Sequence, residues 1–402
     1  MYLDSCLKHK LKFEIFSIRF YYYLNSKQLL LLLSLFCLFP LFTFGQDKHF
    51  LRDSLDNKFD LGDWVLTSNG FIPIPYIITE PAVGGIGGAL VPVFVKPNQP
   101  YIDTIQGQLV KTRVKPNIYA AGAAYTANGT WLTAAAAMGI IRKLRINYRI
   151  GSGYANINMT FYRENIQNEE TSFDLNIKTI PVNAQLSKQI GRSNWSTGLN
   201  YLFLTTKVAR TNTEYITPKE INSNVSRLGL LVEYDNRDNI FTPDKGLKWN
   251  TLIGVSDEFI GSDYGYTSII SAAYWYMPIS KRIISSYRLE YQQIWGESPF
   301  YMKPFIYMRG IPIMRYQGNY TTLAETEWRW DFTNRHSLVS FAGVAKAVGE
   351  DKSFQESSWL GSGGVGWRYL LIRKLKLRAG IDIARGPEKW AYYIVFGTNW
   401  IR

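Results

Sequence analysis

The segment Ala324-Glu325-Thr326-Glu327-Trp328-Arg329-Trp330-Asp331-Phe332 decides the fold. Its even positions are small or aromatic: Ala324, Thr326, Trp328, Trp330 and Phe332. Its odd positions are Glu325, Glu327, Arg329 and Asp331. A period of two marks a strand with two unlike faces. Four ionisable groups in a row on one face are too many for a small dry core. They suit the polar lumen of a barrel whose other face meets lipid.

The same alternation extends outward. Leu375, Leu377, Ala379, Ile381 and Ile383 alternate with Lys376, Arg378, Gly380, Asp382 and Ala384. Ile283, Ser285, Tyr287, Leu289 and Tyr291 alternate with Ile284, Ser286, Arg288, Glu290 and Gln292. A soluble sandwich alternates too, so the period alone does not decide. Aromatic residues at strand ends do more: Trp64, Tyr76, Trp131, Tyr162, Trp249, Tyr276, Trp295, Trp328, Trp330, Trp390 and Trp400 have the composition of interfacial girdles. An exported sheet with an apolar outer face needs a bilayer to cover it. Closure removes its open edges.

Strands are expected at 69–78, 82–96, 112–126, 130–142, 144–164, 172–190, 193–210, 224–236, 246–258, 264–279, 282–296, 320–333, 336–349, 359–371, 375–385 and 390–401. That is an all-β chain, a transmembrane antiparallel β-barrel of about 16 strands. The Ala-rich segments 118–127 and 131–140 read as strands because Gly122, Gly139 and their Tyr and Thr neighbours disfavour helix.

The beginning of the chain reads as an address. Leu29–Phe44 is apolar, follows Lys27, and is too short to cross a bilayer comfortably. Thr43 and Gly45 place cleavage near Gly45/Gln46. The expected organisation is a signal peptide over 1–45, a short periplasmic tail over 46–68 and the barrel over 69–402, in the bacterial outer membrane. Both cysteines, Cys6 and Cys37, lie in the leader, so the remainder has no thiol for a disulfide, a metal or catalysis.

Of 402 residues, 45 are Lys or Arg and 32 are Asp or Glu, a formal charge of +13. The leader holds five of the cations and two of the anions, leaving +10 on the rest. The cations are dispersed among carboxylates, which is no nucleic-acid footprint. They favour contact with anionic lipid headgroups. Three histidines are too few for a zinc enzyme. Outside the leader only His49 in the tail and His336 beside a turn remain, and a lone turn histidine is more often a bystander than the base an outer-membrane lipase needs. Gly84-Gly85-Ile86-Gly87-Gly88 precedes a strand-like run where a phosphate loop needs a helix. The expectation is no enzyme, no cofactor and no metal.

Three segments remain. Residues 234–246 (YDNRDNIFTPDKG) form a turn rich in Asn, Asp, Pro and Gly. Its three carboxylates do not have EF-hand spacing. Residues 308–319 (MRGIPIMRYQGN) lie in the long connection 297–319. There Arg309 either stays exposed or folds inward onto a lumen carboxylate. Residues 363–382 and 397–400 are glycine-rich closing strands.

Taken in order, these segments resemble the bacterial surface antigen barrel of the BamA/TamA superfamily. Its Asp-x-Arg-Asp-Asn…Pro…Gly turn is matched by Asp235, Arg237, Asp238, Pro243 and Gly246. Its Arg-Gly motif on the sixth outer loop is matched by Arg309 and Gly310, with Ile311 at the aromatic place. Its Glu-x-Arg strand is matched by Glu327 and Arg329. The first hairpin resembles 73–84. The resemblance implies a 16-strand barrel without bond-making chemistry, in which Arg309 pairs with Glu327 and pins the loop inside. The Asp that completes the family's clamp aligns with Gly343, leaving Glu325, Asp331 and Asp382 as substitutes. Residues 46–68 are too short for the family's periplasmic POTRA domain. The implied function is aid to outer-membrane protein insertion or translocation. Its partners would be outer-membrane lipid and client outer-membrane proteins or a separate periplasmic protein. The alternative is a channel gated or plugged by 297–319.

Overall fold

The computed structural model describes residues 51–398 and 400, apart from 68–70, 100, 106–107, 113–115, 165–169, 211–217 and 350–352. The leader at 1–45 therefore lies outside the described residues.

Eighteen strands are described: β1 (Phe71–Ile78), β2 (Gly87–Lys96), β3 (Tyr101–Ile105), β4 (Gln108–Thr112), β5 (Asn117–Thr126), β6 (Trp131–Ile141), β7 (Ile146–Glu164), β8 (Glu170–Gln189), β9 (Trp195–Arg210), β10 (Asn222–Asp235), β11 (Gly246–Ser256), β12 (Tyr266–Pro278), β13 (Ile283–Gly296), β14 (Tyr320–Trp330), β15 (His336–Val348), β16 (Leu360–Ile372), β17 (Leu377–Arg385) and β18 (Trp390–Phe396). Sixteen form one antiparallel sheet in chain order from β1 to β18. The exceptions, β3 and β4, pair only with each other. The sheet curls until the Tyr76 and Phe396 rings lie 6.3 Å apart. The fold is thus an all-β transmembrane barrel of 16 strands. No backbone ladder joins β18 to β1 among the described residues.

The alternation sorts the side chains as the sequence pattern requires. Leu289, Trp328, Trp330, Val365, Trp367 and Ile381 are exposed outside. Arg288, Glu290, Glu325, Glu327, Arg329, Arg368, Arg378 and Asp382 are buried inside. The Ala-rich segments are β5 and β6.

Four expectations need correction. The strand expected at 112–126 starts at Asn117, because Pro116 has no N–H to enter a ladder; Tyr101–Thr112 instead holds the separate β3–β4 hairpin. The strand expected at 82–96 starts at Gly87. Ahead of it, Pro81–Val83 is a 3-10 turn capped by Glu80, whose Oε1 accepts from Ala82 N at 3.2 Å. The last strand stops at Phe396, where Gly397 takes φ +77° and turns the chain into the lumen. Trp400 is consequently no girdle residue, and Tyr276, on the inward parity of β12, is none either. Both are buried and packed together inside, with ring centroids 6.2 Å apart.

The barrel has two unlike ends. One carries the connection 297–319. At the other, residues 51–67 lie against the β14–β15 and β16–β17 turns. The short helix Gly62–Thr67 of this tail then leads towards β1.

Candidate functional site

The connection between β13 and β14 folds inward. Phe300 sits among Met159, Phe161, Leu175, Ile177 and Val208 on the inner wall. Ile306, Met308 and Ile311 pack on Leu323 and Ala345. This apolar burial delivers Arg309, of which 2% is exposed, to a set of carboxylates. Its Nη1 donates to Asp382 Oδ2 at 2.8 Å. Its Nη2 donates to Glu325 Oε1 at 3.2 Å and lies 2.7 Å from Glu327 Oε2. Its guanidinium carbon sits 3.5 Å from the centroid of the Phe341 ring, a cation–π contact. One planar fork therefore bridges from β14 to β17 across the wall.

Around it the charges continue. Glu325 Oε2 also accepts from Arg288 Nη1 at 3.1 Å and from Trp400 Nε1 at 2.9 Å. Arg288 Nη2 donates to Glu290 at 2.6 Å. Arg368 Nη2 donates to Asp382 Oδ2 at 2.9 Å. Buried charge without partners is strongly unfavourable, and here each carboxylate faces at least one guanidinium.

Glycines make the room. Gly366 is opposite Asp382, and a Cβ there would lie 1.9 Å from Asp382 Oδ1. Gly343 is opposite Glu325, and a Cβ there would lie 2.5 Å from Met308 Sδ. So the position that aligns with the family's Asp admits a loop side chain instead, and the second carboxylate comes from β17. Asp331, the remaining candidate substitute, pairs with Arg329 and Arg378. Gly310, at φ +87°, donates its N–H to Tyr393 Oη at 2.9 Å. A Cβ on it would lie 2.8 Å from Gly386 N.

The loop also reaches both edges of the open sheet. Ile313 N donates to Glu80 Oε1 of the β1–β2 connection at 3.1 Å. Tyr316 Oη donates to Glu388 of the β17–β18 connection at 2.7 Å.

The turn 236–245 lies at the tail end. Arg237 grips Asp235 with Nε and Nη2 at 2.9 and 2.8 Å. Asp238 Oδ1 accepts from Asp244 N and Lys245 N at 2.9 and 3.2 Å. Pro243 is fully buried. Gly246 takes φ +111°, and a Cβ there would lie 2.7 Å from Arg237 Cα. The turn reaches across the mouth: Asn239 Nδ2 donates to Leu375 O at 3.1 Å, and Phe241 O accepts from Thr398 N at 2.7 Å. Lys376 Nζ donates to Asp238 Oδ2 and Asp244 Oδ2 at 3.0 and 2.7 Å.

Burial pushes the Asp238 and Asp244 carboxyls up. For Asp238 the Lys376 hydrogen bond and backbone N–H groups outweigh it, and for Asp244 the charge of Arg329 and the Lys376 hydrogen bond do. Both end below the ordinary carboxylate range. A depressed carboxyl stabilises above its unfolded value, near pH 4, and the gain is lost as pH falls through the folded value. Lys376 is half-exposed, so solvent screens the pair. Lys376→Ala is expected to cost about 0.5–1 kcal/mol at pH 7 and almost nothing near pH 2. Urea midpoints at the two pH values check this.

Sequence reading missed Trp400, Arg288 and Arg368 as members of the lumen network. The parity of Arg288 and Arg368 was readable. Trp400 had only the strand-ending Gly397 as a signal.

An antiparallel 16-strand sheet, apolar outside, curled around an inward loop held by a buried arginine, defines a transmembrane β-barrel of the outer-membrane kind. Comparison with known proteins places it further. Residues 136–306 match the Omp85 superfamily domain. BamA from Haemophilus ducreyi lacking POTRA domains 1–3 is similar at 13% identity and a TM-score of 0.56, over 82% of this chain and 70% of that one. CdiB from Escherichia coli is similar at 9% identity and a TM-score of 0.56, over 81% of this chain and 62% of that one. CdiB from Acinetobacter baumannii follows at 10% and 0.50, over 81% and 59%. The chain thus spans less than two thirds of either CdiB chain. No curated protein matches. These findings agree with the resemblance read from the motifs: residues 136–306 match the Omp85 superfamily domain, and the fold is that of a BamA-like barrel. The domain match ends before Arg309, so the roles of Arg309, Glu327 and Asp382 rest on their geometry.

Proposed function

We propose that this barrel sits in the bacterial outer membrane, with the tail end towards the periplasm, and aids insertion or translocation of outer-membrane proteins at the seam between β1 and β18. The observation that carries the reading is the chemistry of the β1 edge. Pro73 stands opposite Pro92 in the β1–β2 register. Neither has an N–H, so this is a non-hydrogen-bonded pair. Phe71, Pro73, Pro75 and Ile77 therefore direct their backbone groups to the free edge. Two of those four edge donors are missing. The β2–β5 register is likewise interrupted at Val91 and Pro92.

Such an edge keeps carbonyls free to accept a strand and resists zipping onto β18. The seam strands are also short. β1 has 8 residues and β18 has 7, against the roughly 9–11 that a tilted strand needs to cross a bilayer. Lipid beside them must thin, which lowers the barrier to inserting a new strand.

The test follows folding of an unrelated outer-membrane protein, diluted from urea into liposomes. Liposomes holding this barrel are compared with empty liposomes and with liposomes holding an unrelated barrel. Acceleration is expected only with this barrel. Pro73→Thr with Pro75→Thr restores two donors. At about 0.5–1.5 kcal/mol per bond this favours the closed seam, and most of the acceleration is expected to disappear. No acceleration by the unaltered barrel sinks the reading. The second reading, a channel plugged by 297–319, is favoured by the buried Arg309 clasp and is read by conductance.

A further inference from the structure

Among the described residues, the tail carries a dense ion cluster outside the lumen. Arg335, on the β14–β15 connection and buried, bonds three of its carboxylates. Nη1 donates to Asp60 Oδ2 at 2.6 Å, Nε to Asp56 Oδ2 at 2.6 Å, and Nη2 to Asp53 Oδ2 at 2.5 Å. Arg373 Nη2 donates to Asp53 Oδ1 at 2.9 Å, and its backbone N–H donates to Asp60 Oδ2 at 2.9 Å. Lys374 Nζ donates to Asp63 Oδ1 at 2.7 Å. Neutral bonds add to these: Tyr369 Oη to Phe59 O at 2.7 Å and Leu61 N to Leu371 O at 3.0 Å. None of these residues belongs to the lumen clasp or to the β1 edge.

What matters is where the tail is fastened and where it goes next. It is bonded to this rim as far as Asp63, which meets Lys374 between β16 and β17. The chain then enters β1, which lies across the seam from β18. From Leu371 to β1 is three strand spacings, about 14 Å. From Leu61 the chain offers the helix Gly62–Thr67, about 9 Å long, and four further steps of at most about 3.5 Å each. The slack is about 9 Å, less than two strand widths.

We propose that the acidic tail is a latch on the seam: while Asp53, Asp56 and Asp60 hold Arg335 and Arg373 and the helix Gly62–Thr67 stays wound, β1 cannot part from β18 by more than about two strand widths at the tail end, and wider opening requires the tail to unwind or leave. The loop 297–319, bonded to Glu80 and Glu388, straps the other end of the same seam. The latch rests on the seam being the moving part, as in the preceding section. It is therefore tested on the seam itself, apart from any client.

Tyr76 and Phe396, whose rings face each other across the seam, are replaced by cysteine in the full chain. The rate of disulfide formation with a copper–phenanthroline oxidant is measured in liposomes. Protease clipping of residues 51–67 reports whether the tail is seated. Arg335→Glu, and separately Asp56→Asn with Asp60→Asn, are expected to expose the tail and slow cross-seam bonding about tenfold. Arg335→Lys is expected to keep part of the rate. The Asp variants leave every barrel residue unchanged, so they stand if Arg335→Glu fails to fold. An exposed tail with an unchanged bonding rate overturns the latch. So does a tail that stays protected in the Asp variants. Slowed bonding in the variants, beside an unaltered barrel that does not accelerate client folding, would keep the latch and reject the insertion reading.

Discussion

Arg309→Ala is expected to destabilise the barrel by about 3–5 kcal/mol, the usual cost of removing one partner from a buried ion cluster. The magnitude follows from what is left behind. Glu325 keeps Arg288 and Trp400, and Asp382 keeps Arg368. Glu327 loses the guanidinium that lies 2.7 Å from its Oε2. Two or three carboxylates then face one another with one guanidinium fewer. The chain relieves this by taking up protons or by letting the loop leave the lumen. Two measurements separate these outcomes. Thermal or urea unfolding, followed by the heat-modifiable mobility of the folded barrel, reads the stability loss. Planar-bilayer conductance reads the loop, and is expected to rise. Arg309→Lys is expected to recover less than half, because a point charge cannot bridge β14 and β17 as a fork does. Unchanged stability and unchanged conductance would refute the clasp.

Asp382→Asn is expected to be nearly as damaging, and clearly worse than Glu327→Gln. Asp382 is fully buried and accepts from both Arg309 and Arg368, so its neutral amide leaves two buried guanidiniums short of charge. Its amide nitrogen would also point a donor at a donor. Glu327 is buried less deeply, with 12% of its side chain exposed against none of Asp382's, and shares Arg309 with two other carboxylates. The expected costs are about 3 kcal/mol or more for Asp382→Asn and about 1 kcal/mol for Glu327→Gln. Gly366→Ala probes the same place from the opposite strand, since its Cβ would fall on the Asp382 carboxylate. Equal effects of Asp382→Asn and Glu327→Gln would refute Asp382 as the principal anchor of the arginine.

The contrast between these two carboxylates shows where sequence reading reaches and where it stops. Alternation is a local property. It placed Glu325, Glu327 and Arg329 on the inner face and Trp328 and Trp330 on the outer one, as the burial of β14 has them. The 16-strand architecture followed from the same signal repeated along the chain. The partnership of Arg309 with Asp382 spans 73 positions and three inter-strand steps. Nothing local chooses Asp382 over Asp331. The choice depends on barrel curvature and on the space that Gly343 and Gly366 leave.

Breaks in the pattern were read poorly for a related reason. Thr398 and Trp400 continue the outward parity of β18, so they resemble its next outward residues. One left-handed glycine at 397 reverses that. Pro116 similarly cut short a strand whose flanks still alternated. The tail carried no periodicity. Its acidic residues acquired a meaning only when the fold set Arg335 and Arg373 side by side.

The burial of Trp400 bears on how the chain is made. Glu325 is served by Arg288, Arg309 and Trp400, which emerge during synthesis in that order. Asp382, the other anchor of Arg309, also follows the loop in the chain. A barrel truncated before residue 382 can hold the loop only by the β14 contacts, with Arg309 short of an anion. The lumen network is satisfied in full only once residues 382–400 have joined strands and loop made long before them.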